Sequence, residues 1–200
     1  MDAALHQVGL DREALLARLA ATQAAFREEL ILATLLGHLS AAERRLIALL
    51  GLYRLPIPIQ ALAAIAQDAE PAAPLSRPVA LGLIEVHRLP DAEPLYYVSP
   101  LVTALVTDEL VGAERQAKTA AAARALSALW WDGVATRDWE RVMEVRRLAL
   151  AGQVPVIAAA TTEWITSGLL NVHAVAETAR LCADALALVE TPGLHSSLAS

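Results

Sequence analysis

Cysteine is all but absent. Cys182 is the only one, so no intrachain disulfide exists. Its surroundings, ETARLCADALAL, put it at a helical core spacing, which predicts a small buried apolar residue. Long hydrophobic runs are absent too, although 56% of the residues are hydrophobic and the mean hydropathy is +0.44. The longest uncharged run, Leu148 to Thr162, falls short of the roughly 20 residues a spanning helix needs. Gly152 and Pro155 also interrupt it, so no membrane association is expected. The opening MDAALHQVGLDRE lacks a basic stretch leading into an apolar one, which argues against a secretory signal. A cytoplasmic location is the default expectation. Aromatic residues make up 4%, and β-branched residues are sparse beside alanine and leucine, which excludes an extensive sheet.

The usual signatures of chemistry are missing as well. There is no GxxxxGK[ST] and no GxGxxG to cradle a phosphate, and no GxSxG to present a nucleophile. The five histidines, His6, His38, His87, His173 and His195, stand apart from one another and from the cysteine, without metal-ligand spacing. Carboxylate pairs such as Glu28 with Glu29 and Asp108 with Glu109 read as solvated helix faces. No enzyme, metal or cofactor is expected within this chain. Net charge is −6 with a pI near 5.3, and such a field opposes nucleic-acid binding.

What is present is helix. Residues 11–38 repeat apolar positions at Leu15, Leu16, Leu19, Phe26, Leu30, Ala33 and Leu36, with Asp11 as N-cap and a break near Thr22 as one option. SAAERRLIALL follows, with Ser40 and Glu43 as a capping box and an apolar stripe of Leu46, Ile47, Leu49 and Leu50. LPIPI stops that helix, and a second restarts at Pro58. DAEPAAPLSRP reads as a loop, after which Ser76 caps a third helix carrying Val79, Leu81 and Leu83. Strands are predicted near Ile84 to Arg88 and Leu95 to Val98, joined by LPDAEP. Helix then returns at SPLVTALVTDEL, with Ser99 as N-cap and Pro100 in the first turn.

That order, three helices and then a β-hairpin wing, is the winged-helix order. Beyond Gly112 four helices are predicted, ending near Asp132–Gly133, Gly152, Gly168 and Glu190. Asp138 and Asn171 sit at matching cap positions 33 residues apart, close to the ~34-residue period of tetratricopeptide repeats, although that consensus is poor. The chain is therefore read as mainly α: a helical segment over 1–39, a winged-helix domain over 40–111, repeat-like antiparallel helical pairs over 112–190, and a tail over 191–200.

Four tryptophans lie in the C-terminal helices. Trp139 and Trp164 are expected in the core; Trp131 is expected to face outward or to a partner, and to matter less for stability than Trp139. Arg141, Arg146 and Arg147 form the densest basic patch, interleaved with Glu140 and Glu144, and read as a salt-bridged solvated face. Trp130, Trp131, Arg146 and Arg147 are the candidate partner-binding residues. The third helix, SRPVALGLI, offers DNA only Arg77, and the wing carries Glu85, Asp91 and Glu93 against Arg88.

LLGHLSAAERRLIALLGLYRLPIPIQALAAIA, LGLIEV and LYYVSPLVTALVTDEL together resemble the winged-helix region of the STAND signal-transduction ATPases, the NB-ARC and NACHT-like group. The resemblance implies that residues 1–39 match the end of the family's helical subdomain and that the later helices match the start of its repeat sensor. It implies a unit that docks on a nucleotide domain rather than on DNA. Ser99 stands where the family commonly places a phosphate-sensing histidine. ADP or ATP would enter only with an ATPase domain upstream of these residues, so the chain is expected to be part of a larger protein or a stand-alone adaptor. The implied partners are proteins, an ATPase or other signalling domain, with self-association left open. The alternative is a winged-helix transcriptional regulator with a helical dimerisation region.

Overall fold

The computed structural model describes residues 23, 27–66, 72–88, 90, 92–171 and 175–189. Asp11, Thr22, Phe26, Asp91, the 191–200 tail and His6, His173 and His195 lie outside them. The chain divides into two compact units, Met1–Ser40 and Ala41–Ser200. In the first, residues 27–37 form helix α1, which leaves Leu30, Ile31 and Ala33 exposed and buries Leu36. The apolar stripe expected there is thus only partly buried.

The second unit opens with α2, Ala41–Leu50, whose Leu46 to Leu50 are all buried. A two-residue strand follows, β1 at Ile57–Pro58, and then α3 at Ile59–Ala66. The sequence reading placed Pro58 inside a helix. It lies in an edge strand instead, where a missing N–H costs no ladder bond. Helix α4 runs over Ala72–Ala80. It begins within the stretch read as loop, and Ser76 is therefore mid-helix rather than a cap. Pro74 falls in its first turn, where an N–H has no helical partner, but Pro78 lies inside the helix and removes one bond.

The end of α4 is well defined. Leu83 N–H donates to the Pro78 carbonyl at 3.0 Å and Gly82 N–H to Val79 at 3.0 Å, with Gly82 at φ +71°. That bonding is a Schellman turn, and the left-handed residue at its C′ position is the glycine. It turns Leu83 and Ile84 into the core and starts β2, Glu85–His87, which pairs with β3, Leu95–Tyr97. All pairing is antiparallel, in the order β1–β3–β2, with Tyr96 facing both Ile57 and Val86. Ser99 caps α5, Pro100–Leu105, which continues through a 3-10 turn at Thr107–Glu109.

Four longer helices follow among the described residues: α6 at Gly112–Trp130, α7 at Trp139–Ala151, α8 at Pro155–Asn171 and α9 at Val175–Val189. Helix α6 packs on α3 and α7, α7 on α8, and α8 on α9. The start of α6 meets the end of α7, because Gln116 bonds Gln153 and Gly152 lies against Ala120. The start of α7 meets the end of α8, where Trp139 lies over Gly168. Both pairs are therefore antiparallel. Helix α8 runs through Gly168, which was expected to end it, and Asn171 is its last residue rather than the cap of the next helix.

The core is aliphatic. Ile47, Leu62, Ile65, Leu75, Leu110 and Leu126 are fully buried, and Val142, Ile165 and Leu181 form a buried cluster joining α7, α8 and α9. Leu181 takes the inward position of α9, and Cys182, one residue further round the helix, is exposed. Cys182 is not the buried filler its spacing suggested. Among the described residues no helix is long and apolar enough to cross a membrane.

Candidate functional site

The site begins where α2 ends. Gly51 to Arg54 form a turn, and the Tyr53 ring is buried with its hydroxyl donating to the Ala61 carbonyl at 3.0 Å. Burial, and after it the carboxylate of Glu144, push the Tyr53 phenol well above the ordinary tyrosine value. The hydroxyl stays protonated as a donor.

Helix α7 grips this turn from outside. Glu144 is buried, and its Oε1 accepts from the Arg54 backbone N–H at 2.7 Å. Arg147 lies one helical turn on and binds Glu144 through two parallel bonds, Nε to Oε2 and Nη2 to Oε1, each 2.7 Å. The same Nη2 donates to the Leu52 carbonyl at 2.6 Å. The N–H groups of Gly51, Leu52 and Tyr53 donate back to α2 carbonyls, and Glu144 and Arg147 clasp two groups that α2 does not reach, the Arg54 N–H and the Leu52 carbonyl. A bidentate arginine–carboxylate pair has the rigid geometry such a clasp needs. Of the basic patch read as a salt-bridged solvated face, Arg147 does pair with Glu144, but it lies in the seam between α7 and the strand-bearing half, and only Arg141 is exposed.

Arg146 points the other way. It is buried; Nε donates to Thr162 Oγ1 at 2.9 Å and Nη2 to the Leu181 carbonyl at 2.9 Å, with Asp184 at 3.5 Å. One side chain therefore joins α7, α8 and α9. Trp130 is buried beneath the Arg141 guanidinium, 5.3 Å from its ring. Trp131 is half-buried, with Arg137 over its ring at 4.3 Å and Trp164 edge-on at 6.3 Å. Trp139 is 41% exposed and leans on Trp164 at 5.7 Å, so its expected place in the core is corrected to the rim. Of the four residues proposed for partner binding, Trp130 and Arg146 are committed to the interior, and Arg147 to the clasp. Trp131 packs against the Val142, Ile165 and Leu181 cluster.

Two grooves flank the clasp. One, about 560 Å³, lies between the turn, α5, α6 and α7, and Arg54, Tyr97, Pro100, Arg115 and Arg147 line it. The other, about 780 Å³, includes Trp139, Met143 and Arg180. Ser99 lies at the edge of the first: its neighbours Val98 and Pro100 line the groove, and its own Oγ accepts from Val102 N–H at 3.4 Å as the α5 cap. Its hydroxyl is thus engaged within the helix it starts. Among the described residues no group of three His, Cys, Asp or Glu is placed to hold a metal ion.

Sequence reasoning missed Tyr53, Arg54, Arg115 and the role of Glu144. A glutamate three residues before an arginine is common on solvated helices, so the Glu144–Arg147 spacing alone gave no signal. Comparison with protein-family models, curated proteins and solved structures gives no match.

Proposed function

We propose that residues 40–111 form a winged-helix unit, that residues 112–190 form tetratricopeptide-like helical pairs, and that the two work together as a non-enzymatic regulatory module. In this reading the module resembles the part of a STAND signalling ATPase that couples nucleotide state to ligand sensing, and residues 1–39 correspond to the end of the helical subdomain. The observation that carries it is the sheet. A strand placed between the first and second helices pairs with the last strand and not with the next one, giving β1–β3–β2. That topology supports a helix-turn-helix core with an appended wing.

The surfaces favour a protein partner. On α4, in the place of a recognition helix, the exposed residues among those whose side chains are described are Ser76, Arg77 and Ala80, which give one cation for phosphates. In the wing Glu93 is held by Gln60 and Glu85 faces His87. The clasp joins the turn after α2 to α7, so movement of the helical pairs is passed to the strand-bearing half as a rigid body. Any ADP or ATP would be held by a partner ATPase domain, with the chain as a docking element whose position depends on the nucleotide.

Crosslinking of the chain in its source cell, followed by mass spectrometry, tests this. Crosslinks to a P-loop ATPase domain, in the same polypeptide or another, are expected. Recovery of DNA, together with salt-sensitive binding to 30-base-pair duplexes, would overturn it.

A further inference from the structure

The groove of about 560 Å³ beside the clasp is lined by Arg54, Arg115 and Arg147 and by no carboxylate. This reverses the sign of a chain whose net charge is −6. Glu144 balances Arg147. Arg115 donates to the Thr107 carbonyl at 3.5 Å, a neutral acceptor, and the exposed Arg54 guanidinium has no carboxylate partner among the described residues. Arg44, Arg45, Arg146 and Arg180 each face an acid, and Arg137 and Arg141 lie over the Trp131 and Trp130 rings. Two guanidinium groups without an ion-pair partner among the described residues therefore line one concave site, although Arg54 also borders the second groove, which Glu140 and Glu144 line.

A phosphate monoester carries about −1.5 to −2 near neutral pH, which matches that pair of charges. Guanidinium forks suit its oxygens better than an ammonium does. The rest of the wall is apolar or aromatic, with Tyr97, Pro100 and Ala104, and the volume falls in the range of small-ligand sites. We propose that this groove binds a small phosphate monoester, its phosphate on Arg54 and Arg115 and its apolar body against Tyr97 and Pro100. Arg54 belongs to the turn after α2, Arg115 to α6 and Arg147 to α7, so a bound ligand adds a second tie across the seam the clasp already holds. The inference does not depend on the winged-helix reading.

Calorimetric titration of the full chain with phenyl phosphate at low salt tests it. A Kd on the order of 0.1 mM is expected, a value within reach of so small a ligand. Benzoate should bind at least about fivefold more weakly, and neutral phenol not measurably, because charge carries the recognition. Arg54→Ala and Arg115→Ala should each weaken binding about fivefold or more, and Arg54→Glu should abolish it. Arg54 is exposed, so its variants should keep the wild-type circular dichroism and melting temperature. No binding of phenyl phosphate at about 5 mM, equal binding of phenol or benzoate, or binding untouched in Arg54→Glu would overturn the proposal.

Discussion

The backbone N–H of Arg54 donates to the carboxylate of Glu144 at 2.7 Å, across 90 residues of sequence. That carboxylate is 4% exposed, and Arg147 holds it from the other side. Removing it leaves a partly buried cation and a backbone donor without their acceptor. Glu144→Ala should cost about 2–4 kcal/mol, and Glu144→Gln less, since an amide oxygen still accepts from Arg54. Urea denaturation checks both; a loss under about 0.5 kcal/mol for the alanine variant would mean that the clasp holds nothing.

Tyr53 gives the clasp a pH signature. Its folded-state value is raised, so the phenol is protonated in the folded chain when an unfolded tyrosine has begun to ionise. The unfolded state then binds fewer protons, and stability falls as pH rises. The loss should begin near pH 10, the ordinary tyrosine value, and continue upward. Tyr53→Phe removes the hydroxyl that donates to Ala61 and should cost about 1 kcal/mol at neutral pH. Its melting temperature should fall less steeply than wild type above pH 10. Parallel slopes would show that Tyr53 does not titrate with folding.

The tryptophans invert the order that sequence suggested. Trp131 packs on the Val142, Ile165 and Leu181 cluster, whereas Trp139 is an exposed lid on Trp164 and Gly168. Trp131→Ala should cost about 2–3 kcal/mol and Trp139→Ala about 1, since cavity cost scales with burial. Denaturation midpoints of the two variants compare them directly.

Arg146 should be less replaceable than a surface arginine. It bonds Thr162 and the Leu181 carbonyl from a buried position. Arg146→Ala should cost about 3 kcal/mol, because it opens a cavity and strands buried acceptors. Arg146→Lys should recover only part of that, as one ammonium cannot span both partners. Full recovery by lysine would show that charge alone suffices.

Local rules made much of this fold legible. Ser99 and Asp138 stand before a proline-led and an apolar-striped helix, and both cap as their side chains predict, on Val102 and Arg141. The hairpin of β2 and β3 followed from glycine, prolines and short apolar runs. What stayed hidden depended on distant partners. Strand β1 has two residues, too few for any periodicity, and exists because β3 is there to pair with it. Helix α4 hid behind prolines that argue for a loop, and Cys182 shares the helical spacing of Leu181's neighbours while facing away from them. The clasp was illegible because its two ends are a backbone turn and a helix face with no shared sequence signal.

Gly152 shows what a single residue does for the seam between α6 and α7. It follows α7, where a left-handed glycine would be ordinary, but its φ is −85° and the left-handed residue is Gln153 at φ +55°. Its requirement is space: a Cβ there would lie 2.5 Å from Ala120 N and 2.6 Å from Ala120 Cα. Both are backbone atoms of α6, so no side-chain rotation relieves the clash. Gly152→Ala should push the helices apart and cost about 2–3 kcal/mol, although alanine is the better helix former. Gln153→Gly, at a position that favours glycine, should be neutral or stabilising by up to about 1 kcal/mol, offset by loss of the bond from Gln116. Thermal unfolding of the two variants separates crowding from backbone conformation, because they are adjacent and only Gly152→Ala should lower the melting temperature substantially. If Gly152→Ala melts with wild type, α6 and α7 do not meet as closely as the Ala120 distances require.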